Sequence, residues 1–144
     1  MRDGVTKCID TSVWIPYLIP ETLQPQARNL IIPLLTSNVR LVAPAFAWAE
    51  VGSVLRKKVR LGAITTAQAE GFFNDFCQMP VDYLDSDDIR AKTWAIAEQF
   101  SLATLYDAAF LAVAELESAQ FWTADQSLLN TLTPCPAYVK KLEA

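Results

Sequence analysis

Lys7-Cys8-Ile9-Asp10-Thr11-Ser12-Val13-Trp14 is the stretch that decides the fold of this 144-residue chain. An apolar run ends on Asp10, and a Thr-Ser pair follows at once. The pattern predicts a short buried strand over 5–10 and a carboxylate at its C-terminal edge. A helix over 12–18 follows, opened by a hydroxyl cap and stopped by Pro20. In open parallel sheets, ligands bind in the crevice outside the strand C-termini. An aspartate there is either a functional carboxylate or only the cap of the next helix, a common post for Asp. The rest of the chain has to decide between the two.

Working outward, Glu21 to Pro25 reads as a loop and Ala27 to Leu35 as a helix that Pro33 should kink or end. Arg40 to Ala43 is a short strand closed by Pro44. Ala45 to Leu61 carries the helical stripe Val51, Val54, Leu55 and Val59, with Gly62 as its C-terminal cap. Thr65 and Gln68 have the spacing of a capping box, opening a helix that runs to about Cys77. Val81 to Leu84 reads as a strand. Asp85, Ser86, Asp87 and Asp88 then open a helix to Phe100; acids in a first turn offset the helix dipole, which outweighs a metal reading of this cluster. Tyr106 to Leu116 is a small-residue helix whose alanines allow close approach, so it should be central. Phe121 to Asp125 is another strand ending on a carboxylate. Gln126 to Leu132 is a short helix, and Ala137 to Lys140 a last edge strand. Strands alternating with helices predict an α/β fold, a parallel sheet with helices on both faces, in one domain spanning 1–144.

Composition narrows the chemistry. Hydrophobic residues are 52% of the chain, which excludes a disordered segment. No apolar run is long enough to span a membrane and Met1 to Lys7 is polar, so a soluble cytoplasmic protein is expected. There is no histidine, which removes Ser-His-Asp and Cys-His catalysis and every His-containing zinc site. Cys8, Cys77 and Cys135 are far apart and odd in number, suggesting no disulfide framework; Cys8 and Cys77 are expected to be buried thiols. Carboxylates, hydroxyls, Lys and Arg are what remains.

Asp10 and Asp125 end two predicted buried strands, so in one parallel sheet both emerge on the same edge. Asp107, at the start of the Ala-rich helix, and Glu50, in the first turns of the 45–61 helix, belong to that edge too. Four carboxylates in one crevice repel strongly unless cations are bound. Hard oxygen donors attract Mg²⁺ or Mn²⁺, and metal-activated water attacks phosphodiesters. The net charge is −4, and without these four acids the rest of the chain would be neutral.

The segments Asp10-Thr11-Ser12, Ala49-Glu50-Val51, Tyr106-Asp107-Ala108-Ala109 and Thr123-Ala124-Asp125 resemble, in order and spacing, those of PIN-domain ribonucleases, most closely the VapC-type toxins of toxin–antitoxin pairs. The resemblance covers about residues 7–130. It implies a PIN-like three-layer fold, a Mg²⁺- or Mn²⁺-dependent endoribonuclease and a cognate antitoxin. It makes Asp10, Glu50, Asp107 and Asp125 the acidic catalytic and metal-site residues, and Ser12 and Thr123 their supporting hydroxyls. The tail after Leu132 carries no matching motif.

Arg56-Lys57-Lys58-Val59-Arg60 is the basic cluster, at a helix C-terminus where cations suit the dipole. Glu50, Ser53, Lys57 and Arg60 fall along one helix edge, so Lys57 and Arg60 are the candidates to hold RNA phosphates. Trp94 and Trp122 are expected in the core or an interface, and Trp14 and Trp48, close to the acids, in a site wall or partner groove. The abundance of apolar residues and short amphipathic helices also predicts a homodimer. Acyl-phosphate chemistry on Asp10 is disfavoured: haloacid dehalogenase-like phosphatases want a second Asp two residues on, where Ser12 stands, and the paired early acids of a receiver domain are missing. A non-catalytic protein-binding module of the same fold and a PIN nuclease for RNA maturation are the remaining alternatives.

Overall fold

A computed structural model describes residues 6–143. The strands are β1 (Lys7–Ile9), β2 (Leu41–Pro44), β3 (Val81–Leu84), β4 (Gln120–Thr123) and β5 (Val139–Lys141). The helices are α1 (Thr11–Leu18), α2 (Gln24–Leu35), α3 (Ala47–Arg60), α4 (Thr66–Cys77), α5 (Asp87–Phe100), α6 (Tyr106–Leu116) and α7 (Gln126–Thr131). The sheet order is β3-β2-β1-β4-β5 and every pairing is parallel. Ile9 lies opposite Trp122, and Cys8 opposite both Val42 and Phe121.

Strand periodicity sends alternate residues to two cores. Cys8, Val42 and Phe121 face the side covered by α5, α6 and α7, where Phe110, Leu111 and Val113 are fully enclosed. Ile9 and Leu41 face the side covered by α1 to α4, among Val13, Ile31, Val51, Leu55 and Phe76. The result is three layers, as expected. The alanines of α6 do what their size permits: Ala108, Ala112 and Ala114 are completely buried against the sheet layer. Among the described residues, no helix is long and apolar enough to cross a membrane.

Local signals account for several element ends. Thr65 Oγ1 accepts from the Gln68 amide at 3.1 Å, and the Gln68 side chain accepts from the Thr65 amide at 2.9 Å, completing the capping box. Thr65→Ala should therefore lower stability by about 1 kcal/mol, read as a shift in urea midpoint at unchanged slope. Gly62 has φ +78°, a left-handed conformation that suits glycine, and closes α3 through its amide on the Val59 carbonyl. Ser86 caps α5 by accepting from the Ile89 amide, Asp87 and Asp88 occupy its first turn, and Asp85 pairs with Arg90 at 2.7 Å. The acidic cluster is thus structural.

Several expectations need correction. The first strand covers 7–9 rather than 5–10; Val5 lies outside the described residues. Helix α2 begins at Gln24, not after Pro25, because a proline in the first turn lacks only an amide that has no helical partner there. Pro33 does not end it either: it sits on the exposed face near the last turn, where water can serve the carbonyl it releases. Helix α3 starts two residues late because the Ala45 amide bonds the Leu84 carbonyl instead. β4 stops at Thr123, and β5 is displaced to Val139–Lys141. Cys77 is exposed, since the neighbouring Phe76 takes the inward position at the end of α4. Trp94 is 62% exposed, which excludes the core, whereas Trp122 packs against it.

Candidate active site

Strand β1 and helix α1 meet with one residue between them, and that residue is Asp10. Its amide donates to the Trp122 carbonyl at 2.9 Å, extending the β1–β4 pairing. Its own carbonyl accepts from the Val13 and Trp14 amides and starts α1. Asp10 thus stands at the N-cap, yet its side chain makes no capping bond. The carboxylate, only 4% exposed, turns to the neighbouring strand. Its Oδ2 accepts from Ser12 Oγ at 2.7 Å and from Thr123 Oγ1 at 2.9 Å. Each hydroxyl oxygen in turn accepts a backbone amide, Ala124 on Ser12 at 2.8 Å and Asp125 on Thr123 at 3.1 Å. With one proton each, both hydroxyls donate to Asp10 and hold it as an acceptor. The capping role weighed for Asp10 falls instead to Asp125, whose Oδ1 accepts from the Leu128 amide at 3.1 Å. The hydroxyl cap expected from Thr11-Ser12 is likewise absent, because both side chains serve carboxylates: Ser12 serves Asp10, and Thr11 donates a short hydrogen bond to Glu50.

Strand order reverses between β1 and β4, the place where crevices open in such sheets. An open cleft of about 380 Å³ lies there, lined by Asp10, Glu50, Asp107 and Asp125, with Ser12 and Thr11. Each acid comes from a separate segment: the end of β1, the first turn of α3, the first turn of α6 and the cap of α7. All four predicted acids share this cleft, and both predicted hydroxyls touch Asp10.

The acids disfavour one another's charge. Burial raises the pKa of Asp10, against the pull of its two hydroxyl donors, and the charge of Asp125 adds to the rise. Burial also raises Glu50; the charges of Asp10 and Asp107 reinforce this, and the Thr11 hydroxyl opposes it. Asp107 is pushed up from 3.8 to about 6, first by burial and then by Asp10 and Asp125. Among the described residues, no three His, Cys, Asp or Glu side chains are grouped to hold a metal ion as they stand. The donors are nevertheless all hard oxygens, and they carry surplus negative charge that a divalent cation would relieve. The fit is one of donor chemistry, not of preformed geometry.

The sequence model of the PIN domain matches residues 7–131. The chain belongs to the PIN-domain family. A search of curated proteins finds no match. Among solved structures, this PIN domain is similar to a toxin–antitoxin complex from Klebsiella pneumoniae, with TM-score 0.69 and 17% identity over 96% of this chain and 98% of that one. It is similar to VapBC2 from Rickettsia felis, solved bound to a promoter DNA fragment, with TM-score 0.67, 13% identity and 96% and 99% coverage. The toxin VapC20 of Mycobacterium tuberculosis, described as cleaving the sarcin-ricin loop, aligns with TM-score 0.64, 14% identity and 87% and 94% coverage. At these identities the likeness is one of fold.

Three other residues at the PIN cleft escaped the sequence pattern. Thr11 holds Glu50, and Lys58 and Glu21 line the cleft as an ion pair, Nζ to Oε2 at 2.9 Å. Lys57 and Arg60, the predicted phosphate contacts, are exposed on α3 but do not line the cleft. Trp14 is no site wall: it is buried, edge-on to Tyr17 and Phe76 at 5.8 and 5.0 Å. Trp48 is half exposed and lines a separate apolar groove between α3 and α4 with Gly52, Leu55 and Phe73.

Proposed function

We propose that this PIN domain is a divalent-metal-dependent endoribonuclease and the toxin of a toxin–antitoxin pair. The observation that carries the proposal is the meeting of four carboxylates, from four separate segments, in one open cleft at the sheet's switch point. Asp10, Glu50, Asp107 and Asp125 would hold Mg²⁺ or Mn²⁺. A cation so held supplies Lewis-acid polarisation of a phosphodiester and an activated water. Ser12 and Thr123 fix Asp10 by donating to its carboxylate, while Thr11 orients Glu50. Lys57 and Arg60, farther along the exposed side of α3, would take more distant phosphates.

The VapC character of the similar structures, and the complexes in which two of them were solved, support a cognate antitoxin as partner. An apolar groove of about 490 Å³ beside Trp48, and a second of about 600 Å³ between Phe46, Trp94, Leu105 and Tyr106, provide surface for the antitoxin and for a second copy. The test is direct. Purified protein should cut single-stranded or loop RNA with Mg²⁺ or Mn²⁺, and EDTA should stop it. Intact RNA under every divalent condition would refute the nuclease assignment.

A further inference from the structure

Four carboxylates make a hostile approach for a polyanion. Bound cations offset them at the centre, but the rim needs positive charge of its own. Among the described residues lining the cleft, Lys58 is the one cation. Glu50, Val54 and Lys58 follow one another at intervals of four along the edge of α3 that forms the wall. Eight residues place the Lys58 backbone about 12 Å along the axis from Glu50, and long helical side chains lean toward the N-terminus, the end of α3 that carries Glu50. Its carboxylate partner comes from the turn between α1 and α2. There the Glu21 carbonyl accepts the Gln24 amide at 3.0 Å, which pins the backbone, and the side chain is held by Lys58, Nζ to Oε2 at 2.9 Å. Both side chains are about one-third exposed, 29% for Lys58 and 32% for Glu21.

Resting on the nuclease reading above, we infer that Lys58 binds the RNA phosphate neighbouring the scissile one, and that Glu21 holds Lys58 until that phosphate displaces it. A half-buried ammonium left without an anion is costly. An exchange of carboxylate for phosphate keeps it paired at both stages and releases Glu21 to water. Glu21 is thus a competitor built into the cleft, and its removal should favour RNA.

The test uses a fluorescein-labelled, mixed-sequence single-stranded RNA, with affinity by anisotropy in Ca²⁺ across a salt series and cleavage kinetics in Mn²⁺. Lys58→Ala should raise Kd and KM about tenfold, the loss of one charge-assisted contact, with kcat nearly unchanged. Its salt slope should fall by about 0.7, one fewer phosphate neutralised. Lys58→Arg should restore most of the affinity. Glu21→Gln should tighten binding severalfold, and only when Lys58 is present. If Lys58→Ala fails to fold, Lys58→Met and Glu21→Gln carry the comparison. Unchanged affinity and slope without Lys58, or a Glu21→Gln gain that persists in the double variant, would overturn the inference. A wild type that cuts no RNA overturns the nuclease reading and the inference with it, whereas normal cutting with an unmoved KM in Lys58→Ala overturns the inference alone.

Discussion

Asp10→Asn will fold normally and cut RNA about a thousandfold more slowly, the scale of loss when a group acting on the reacting centre is removed. Shape is preserved, because the amide oxygen of Asn can still accept from Ser12 and Thr123. What disappears is a negative charge that is buried and faces Asp125. The same substitution should therefore leave the metal-free protein at least as stable as wild type, which separates a chemical role from a structural one. Cleavage rates and thermal unfolding of the two proteins, side by side in EDTA and Mn²⁺, check both halves. Full activity in Asp10→Asn would remove Asp10 from the catalytic set.

The second large effect is on stability. Asp107 binds its proton more tightly in the folded chain, its pKa rising from 3.8 to about 6, and Asp10 and Glu50 move in the same direction. Between those two values the native state holds more protons than the unfolded state, so stability falls as pH rises. The contribution is fully present below about 3.8 and is lost on passing about 6. In EDTA, the melting temperature should thus drop between about pH 4 and about pH 7, and Asp107→Asn should flatten that drop. Mn²⁺ at a hundredfold excess over its dissociation constant should restore about 2.7 kcal/mol, roughly 8 °C for a chain of this size. Identical melting curves with EDTA and Mn²⁺ at neutral pH would mean that the carboxylates share no cation.

Much of this was legible from residue order. Alternation of short apolar runs with helical stripes revealed the parallel sheet. Acids that close such runs, or open the helices after them, had to lie on one edge, and Asp10, Glu50, Asp107 and Asp125 do so. Rotation about α3 was less legible. Glu50 is followed both by Ser53, Lys57 and Arg60 and by Val54 and Lys58, two edges on which Lys57 and Lys58 stand only about 100° apart. Nothing local says which edge the sheet turns toward the cleft. The packing of Val51 and Leu55 decides it and selects Lys58. Trp14 failed for a similar reason: closeness to Asp10 in sequence became burial against Tyr17 and Phe76, outside the cleft lining. The capping by Asp125 rather than Asp10 was hidden because both have the local features of a helix cap, and it takes Thr123, opposite Asp10 on the next strand, together with Ser12 to draw the Asp10 side chain away.

β1 has one neighbour, β2, drawn from the first third of the chain, and another, β4, that begins at Gln120. On a ribosome, a nascent chain shorter than about 120 residues has one side of β1 unpaired, and Asp10 lacks the Thr123 hydroxyl and the Trp122 carbonyl that seat it. Asp107 and Asp125 also emerge late. The carboxylate centre consequently cannot come together before β4 and Asp125 have been made, and a nascent chain that stops short of them does not carry it.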